Sequence, residues 1–346
     1  MCGASCCSRM TNQPDSSTFS ANERLRPTGK AASANRKWLI GGAVVAALAA
    51  SAVVNRANAR RAEADHPPAG AFITVNGTRL HYLERGSGSP VVLLHGNGVT
   101  LQDFEVSGVL DLVAKNHRVL AFDRPGFGYS ERPRATVWTP RAQAAIIAAA
   151  LEELGVADAV IVGHSWGALV ALALAIEHPG IASGLVLLSG YYYGSARIDA
   201  LTMVPPALPG LGDILANTVS PLSGALTGPA IVKASFSPAD VPEAFERFPM
   251  ALALRPKQVR ASAADGALMV PAAVDLSRDY ADLDLPVVIM AGEGDRIVGI
   301  GGQAERLAAE LPDAELRVVA GQGHMLHYAV PDQVATAIED VATVTA

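Results

Sequence analysis

One serine in this sequence stands where it could act as a nucleophile. Gly163-His164-Ser165-Trp166-Gly167 has the form G-x-S-x-G, directly after the apolar run AVIV and directly before the apolar stretch ALVALALAIEH. Small residues two places before and two after the serine let neighbouring segments approach a tight strand-to-helix turn. Such a turn lifts Oγ clear of a sheet, and the helix N-terminus behind it favours negative charge. Serine is a weak nucleophile at neutral pH, so acyl-transfer chemistry at Ser165 needs a general base and a carboxylate to orient that base. Asp295, ending PVVIMAGEGD, and His324, in GQGHMLHY after ELRVVAG, are expected to take those roles.

Other polar residues are weighed against this set. Glu293 is the alternative orienting acid. His164 adjoins the nucleophile, but its side chain should point away from Oγ and pack, and His327 is read as lining or surface. Asp123 and Arg124 are expected to brace the turn after their strand, while His81, His117 and His178 have no partner signal. The glycines of GEGDRIVG do not form a dinucleotide loop, because Ile297 occupies the third glycine position of G-x-G-x-x-G. No H-E-x-x-H occurs, and all three cysteines, Cys2, Cys6 and Cys7, precede the folded region, which excludes thiolate zinc sites there. Neither cofactor nor metal is expected. Cys6-Cys7 has the chemistry to accept a lipid on a cytoplasmic end, a solvated thiol pair being the blander reading.

The elements that must position these residues alternate between β-branched runs and helical ones, the pattern of an α/β sheet. Residues 71 to 86 read as two antiparallel strands joined at Asn76-Gly77. VVLLHG (91 to 96), RVLAFD (118 to 123), AVIVG (159 to 163), GLVLLSG (184 to 190), PVVIMAGEGD (286 to 295) and ELRVVAG (315 to 321) read as buried parallel strands, apolar on both faces. Helices are expected over 140 to 154, 168 to 178, 303 to 311 and 331 to 342. The alternation breaks once: residues 191 to 286 hold 11 of the 22 prolines and no strong strand. Short helices and turns are expected there as an inserted lid, with a partner-binding domain as the alternative.

Taken together, the elbow, the order Ser165, Asp295, His324, the segment His95-Gly96-Asn97-Gly98 and DRPGFGYS (123 to 130) resemble the α/β-hydrolase family over about residues 71 to 343. The resemblance implies a mostly parallel eight-stranded α/β sheet with helices on both faces. It implies an oxyanion hole formed by the backbone N–H groups of Trp166 and Asn97, with Gly98 as the substitute if the loop is turned differently. The implied activity is hydrolysis of carboxylic esters, thioesters or lactones through an acyl-enzyme on Ser165. His95, Gly96, Tyr191, Tyr192 and Phe236 are the expected substrate contacts, with Tyr193, Met203, Phe245 and Phe248 as further pocket walls for an apolar acyl or alcohol group. Alternatives are an acyltransferase or perhydrolase with the same triad, a peptidase of the proline iminopeptidase type, and a non-turnover ligand receptor. The HGN and G-H-x-W-G pair also resembles haloalkane dehalogenases, but a serine in place of their aspartate would leave a stable ether. The HGGPG loop of proline iminopeptidases is absent.

The N-terminus has a different composition. Residues 1 to 66 carry nine Lys/Arg and four Asp/Glu, a balance of +5, leaving 18 basic and 29 acidic residues, or −11, for the remainder. An acidic domain without a basic stripe has no electrostatic footprint for nucleic acid. Trp38 to Val54 is uncharged and at the short end of the roughly 17 to 25 residues that cross a bilayer. The expected organisation is a basic disordered tail (1–37), a membrane anchor (38–54), a linker (55–70), the first part of the hydrolase core (71–190), the lid (191–285) and the second part of the core (286–346). Five Lys/Arg between Arg24 and Lys37 against three after the run favour an inside N-terminus and an extracytoplasmic domain. The alternative is a secreted or periplasmic protein cleaved at Ala57-Asn58-Ala59.

Overall fold

The computed structural model describes residues 29–195 and 205–345, so the first 28 residues of the expected tail and Met203 lie outside it. The chain divides into two units, Met1–Ala47 and Leu48–Ala346. In the first, the described side chains, from Arg36 onward, are solvent-exposed. Helix α1, Gly29–Asp65, replaces the expected separation of tail, anchor and linker: residues 29–37 and 55–65 are both helical. Its alanine-rich sequence has no proline before Pro67-Pro68, and alanine is the strongest helix former, so nothing stops the helix earlier. Among the described residues α1 is the one helix long and apolar enough to cross a membrane.

The second unit is built on an eight-stranded sheet in the order β1-β2-β4-β3-β5-β6-β7-β8. Strands β1 (Ala71–Val75) and β2 (Thr78–Arg85) form the expected hairpin. Asn76 and Gly77 both take positive φ, 50° and 72°, as a two-residue turn matched to strand twist requires. Strand β2 also pairs antiparallel with β4 (Arg118–Phe122). The rest are parallel: β3 (Pro90–Leu94), β5 (Ala159–His164), β6 (Ala182–Leu188), β7 (Val287–Gly292) and β8 (Ala314–Val319). Strand β8 departs from the buried strand expected of ELRVVAG. It is the edge of the sheet, and its Arg317 pairs with Glu315 and with Asp340.

Helices cover both faces. On one side α4 (Pro140–Glu153) and α5 (Trp166–Glu177) pack with Ile161, Leu185 and Ile289. On the other, α2 (Gln102–Val106), α3 (Val109–Val113) and α11 (Pro331–Val344) pack with Val91, Val160 and Val186. Adjacent strand residues thus feed opposite cores, which is why the strand runs are apolar throughout. Thr139 caps α4 by accepting from the Ala142 N–H, and Pro140 opens it.

Between β6 and β7 the described residues contain no strand. They form α6 (Leu211–Thr218), α7 (Ser220–Phe236), α8 (Met250–Ala253) and α9 (Pro256–Leu276). Several of the prolines concentrated here open helices, Pro221 in α7 and Pro256 in α9, where a missing N–H leaves no bond unmade. Helix α10 (Arg306–Glu310) follows a π-helical turn over Gly301–Glu305.

The first turn of α5 packs tightly against the end of β3. A Cβ at Gly167 would collide with the Leu94 carbonyl oxygen and stand 2.7 Å from that of His95. Gly167→Ala should therefore lower stability by about 1–3 kcal/mol through overpacking of backbone on backbone. A urea-unfolding midpoint equal to that of the parent protein would contradict this.

Candidate active site

Ser165, Asp295 and His324 follow the C-terminal ends of the parallel strands β5, β7 and β8. Ser165 follows β5 directly and has φ 53° and ψ −114°, a conformation a non-glycine residue rarely holds. It is pinned by its own N–H donating to the Leu188 carbonyl at 2.9 Å and by its carbonyl accepting from the Ala168 N–H at 3.1 Å. The small neighbours are sterically required. A Cβ at Gly163 would lie 2.5 Å from the Gly167 carbonyl oxygen, and one at Gly96 would lie 3.2 Å from the Ser165 Cβ. Within the elbow Ser165 alone is partly exposed.

A continuous chain of hydrogen bonds leads away from that serine. Ser165 Oγ is 2.9 Å from His324 Nε2, and His324 Nδ1 is 2.8 Å from Asp295 Oδ2. The other carboxylate oxygen, Oδ1, accepts from the N–H groups of Ile297 (2.8 Å) and Val298 (2.9 Å), which fixes the acid's orientation. A carboxylate so held keeps Nδ1 protonated, leaving the Nε2 lone pair directed at Oγ. This arrangement is able to withdraw the hydroxyl proton and return it to a leaving group. Glu293 is exposed and instead accepts from the Gly321 N–H, so it does not take the place of Asp295.

The loop after β3 lies against the elbow and is held by Arg124. This guanidinium is fully buried, donating to the carbonyls of His95 (2.8 Å) and Gly96 (3.0 Å), to Gln143 Oε1 and to Asp265 Oδ2, both at 2.7 Å. His95 is a brace and not a substrate contact. Its ring is inaccessible, Nδ1 donates to the Gly96 carbonyl and Nε2 accepts from the Arg124 N–H. Burial, reinforced by the Arg124 charge, lowers its pKa to about 4. Asn97 donates from Nδ2 to the Ser262 carbonyl at 3.1 Å. Trp166 opens α5, so its backbone N–H belongs to the set that the helix itself leaves without a partner. Asp123 accepts from His81 Nδ1, the Tyr129 N–H and the Leu101 N–H, bracing its turn as expected.

Behind the catalytic-type chain lies a buried group that sequence reasoning missed. His164 Nε2 is 3.1 Å from the His324 carbonyl and must carry the proton there. Its Nδ1 is left as a bare lone pair 3.8 Å from Asp103 Oδ2. Burial, with His327 and His324 nearby, holds the His164 pKa well below the usual range. Asp103 accepts from His327 Nε2 at 3.0 Å and from the Tyr328 hydroxyl at 2.9 Å. His327, expected as lining or surface, is wholly buried. The donor atoms of Asp103, His164 and His327 lie within 4.8 Å of one another, the composition of a cation site, although hydrogen bonds already engage the acid. Asp103 lies 61 positions from His164 and 224 from His327 in the chain, so only the fold unites them.

The expected aromatic walls separate into two sets. Tyr191, Tyr192 and Tyr193 lie in the core on the α5 side, where Gln303 Oε1 accepts from the N–H groups of Tyr192 (2.6 Å) and Tyr193 (2.8 Å). With 2% and 0% of their surface exposed, Tyr191 and Tyr192 present nothing for a substrate to touch. Phe236, Phe245 and Phe248 instead cluster with Met325 and Tyr328, next to His324 in the chain.

Residues 89–329 match the profile of the alpha/beta hydrolase fold family. The chain belongs to the α/β-hydrolase family. Among curated relatives, the 2-hydroxymuconate semialdehyde hydrolase of Pseudomonas sp. (strain CF600) is 36% identical over 139 residues, 38% of this chain and 46% of that protein. The matched stretch spans less than half the length of the first such relatives. Among solved structures, the epoxide hydrolase CorEH matches with a TM-score of 0.65 at 22% identity, covering 80% of this chain and 99% of that one. A thermophilic esterase from Thermogutta terrifontis matches with 0.60 at 19%, covering 80% and 98%. At such identities these two likenesses establish the fold alone.

Two outcomes follow for this α/β-hydrolase. Asp265→Leu strands the Arg124 charge in the interior and should cost about 3–5 kcal/mol, part of it recovered in Arg124→Met/Asp265→Leu. A single variant as stable in urea as the parent would refute the role of that pair. His95, neutral when folded, binds a proton only when unfolded between about pH 6.5 and its folded value of about 4. Stability should therefore fall as pH drops through that window, by up to about 1.4 kcal/mol per unit for each such imidazole. His95→Gln should make the decline shallower by about one proton; an unaltered slope would count against it.

Proposed function

We propose that the chain is a serine hydrolase that cleaves a carboxylic ester, thioester or lactone through an acyl-enzyme. The observation that carries this reading is the unbroken path from Asp295 through His324 to a strained, partly exposed Ser165. In the first half-reaction Oγ attacks the acyl carbon while its proton passes to His324 Nε2, and Asp295 steadies the resulting imidazolium. The tetrahedral oxyanion is received by the N–H groups of Trp166 and Asn97, each worth about 3–4 kcal/mol by the effect of removing one such donor. The imidazolium protonates the leaving alcohol or thiol, and water, activated by the same His324, then releases the acid. The Phe236, Phe245, Phe248 and Met325 cluster beside His324 suits an apolar acyl or alcohol group.

The apolar run Trp38–Val54 serves in this reading as a single-pass anchor, with the N-terminus inside by its larger Lys/Arg count and the acidic domain outside the cytoplasm. Ser165→Ala should lower hydrolysis of short p-nitrophenyl esters by at least about a thousandfold and abolish labelling by a fluorophosphonate, while leaving the fold intact. Labelling that persists in the variant would remove Ser165 as nucleophile. Membranes washed with alkaline carbonate should retain the full chain; quantitative release would remove the anchor.

A further inference from the structure

Helix α7 is apolar and yet almost unpacked. Of its 17 residues only Lys233 is charged, and only Pro221 and Phe236 are buried. Leu222 is 60% exposed and Leu226 76%, and with Val219 they recur at spacings of three and four, which places them on one face. Helix α6, packed beside it, adds Leu211 and Ile214. From Leu208 to Phe236 the charged residues are Asp213 and Lys233, and Asp213 is held by Arg134 and Arg260. Water-facing patches of this kind mark a surface that something covers.

The position of the patch identifies what covers it. Ser51 Oγ donates to the Thr218 carbonyl at 2.6 Å, and Asn55 Nδ2 donates to the carbonyls of Asn217 and Thr218, both at 2.9 Å. The last carbonyls of α6, which the helix cannot satisfy itself, are therefore capped by α1 at the end of its apolar run. An apolar-walled groove of about 460 Å³, with Val54, Leu222 and Leu254 among its lining, separates α1 from α7 and α8. At its far end α7 reaches the triad: the Ser235 carbonyl accepts from the Met325 N–H at 3.3 Å, one residue past His324. At about 1.5 Å per residue, α7 spans roughly 25 Å between the anchor and the catalytic histidine.

We propose that the apolar face of α6 and α7 rests in the bilayer that α1 enters, so that the side of the molecule leading to Ser165 is a lipid-contacting one. This rests on the reading of α1 as an anchor. Its partner is the hydrocarbon and interfacial layer of a membrane, and substrates that partition into lipid reach the site from that layer.

The test uses the full chain with Cys2, Cys6 and Cys7 replaced by serine, reconstituted in phosphatidylcholine liposomes. Single cysteines introduced by Val45→Cys in the apolar run, Leu226→Cys on α7 and Lys115→Cys in the exposed turn that enters β4, at the opposite end of the strands from Ser165, carry an environment-sensitive fluorophore. Each labelled protein is first shown to react with a fluorophosphonate. Spin-labelled phosphatidylcholine is expected to quench the probes at 45 and 226 at least twofold and to leave that at 115 unchanged. Quenching at 45 with none at 226 would overturn the lipid face while sparing the anchor. Absence of quenching at both would overturn the anchor and the proposal with it. Shielding at 226 that grows with protein density and resists spin-labelled lipid would assign the face to a second copy, and would equally overturn it.

Discussion

The backbone at Ser165 can take its positive φ only because three chain segments meet there without side chains between them. Gly163 and Gly167 bring β5 and α5 together, and Gly96 brings the loop after β3 against the serine's own Cβ. That close approach places the Asn97 loop, the first turn of α5 and the Ser165 hydroxyl within one small volume. Strain of this kind persists only in surroundings that over-determine it. Here the surroundings are two apolar layers on either side of the sheet and hydrogen bonds to Leu188 and Ala168.

Much of this was legible in the sequence because it is local. The hairpin at Asn76-Gly77, the strand runs and the elbow each declare themselves within a few residues, through turn chemistry, apolar continuity or small-residue spacing. Asp295 and His324, the hydrogen-bonded partners of Ser165, were legible for another reason: both follow parallel strands whose C-terminal ends lie on the same side of the sheet as that of β5. The buried polar groups were not legible. Asp103, His164 and His327 have neither common spacing nor a shared element, and Arg124 and Asp265 are 141 positions apart. A tyrosine triplet after β6 reads equally well as pocket or core, and only the burial of Tyr191 and Tyr192 decides for the core.

The N-terminal helix illustrates the opposite error. Composition divides residues 1–70 into charged, apolar and charged parts, and that division suggests three structural states. Helix formation responds to a different property, the absence of proline and of turn-forming clusters, and α1 runs through the boundaries until Asp65. Charge pattern and secondary structure are separate variables, and a change in one does not imply a change in the other.

The polar contacts of α9 give the insertion a mechanical division. Gln258 accepts from the Gly128 N–H, the Ser262 carbonyl accepts from Asn97, and Asp265 neutralises Arg124; these positions, four and three apart, form one stripe on the helix. Swinging α9 outward would unpair a wholly buried guanidinium and release the loop beside Ser165, at a price of several kcal/mol. Among the described residues helix α7 has no comparable side-chain tether along most of its length. The described part of the segment between β6 and β7 is therefore not uniformly held: α9 is tied to the core through a buried charge, whereas α7 is largely exposed along its length.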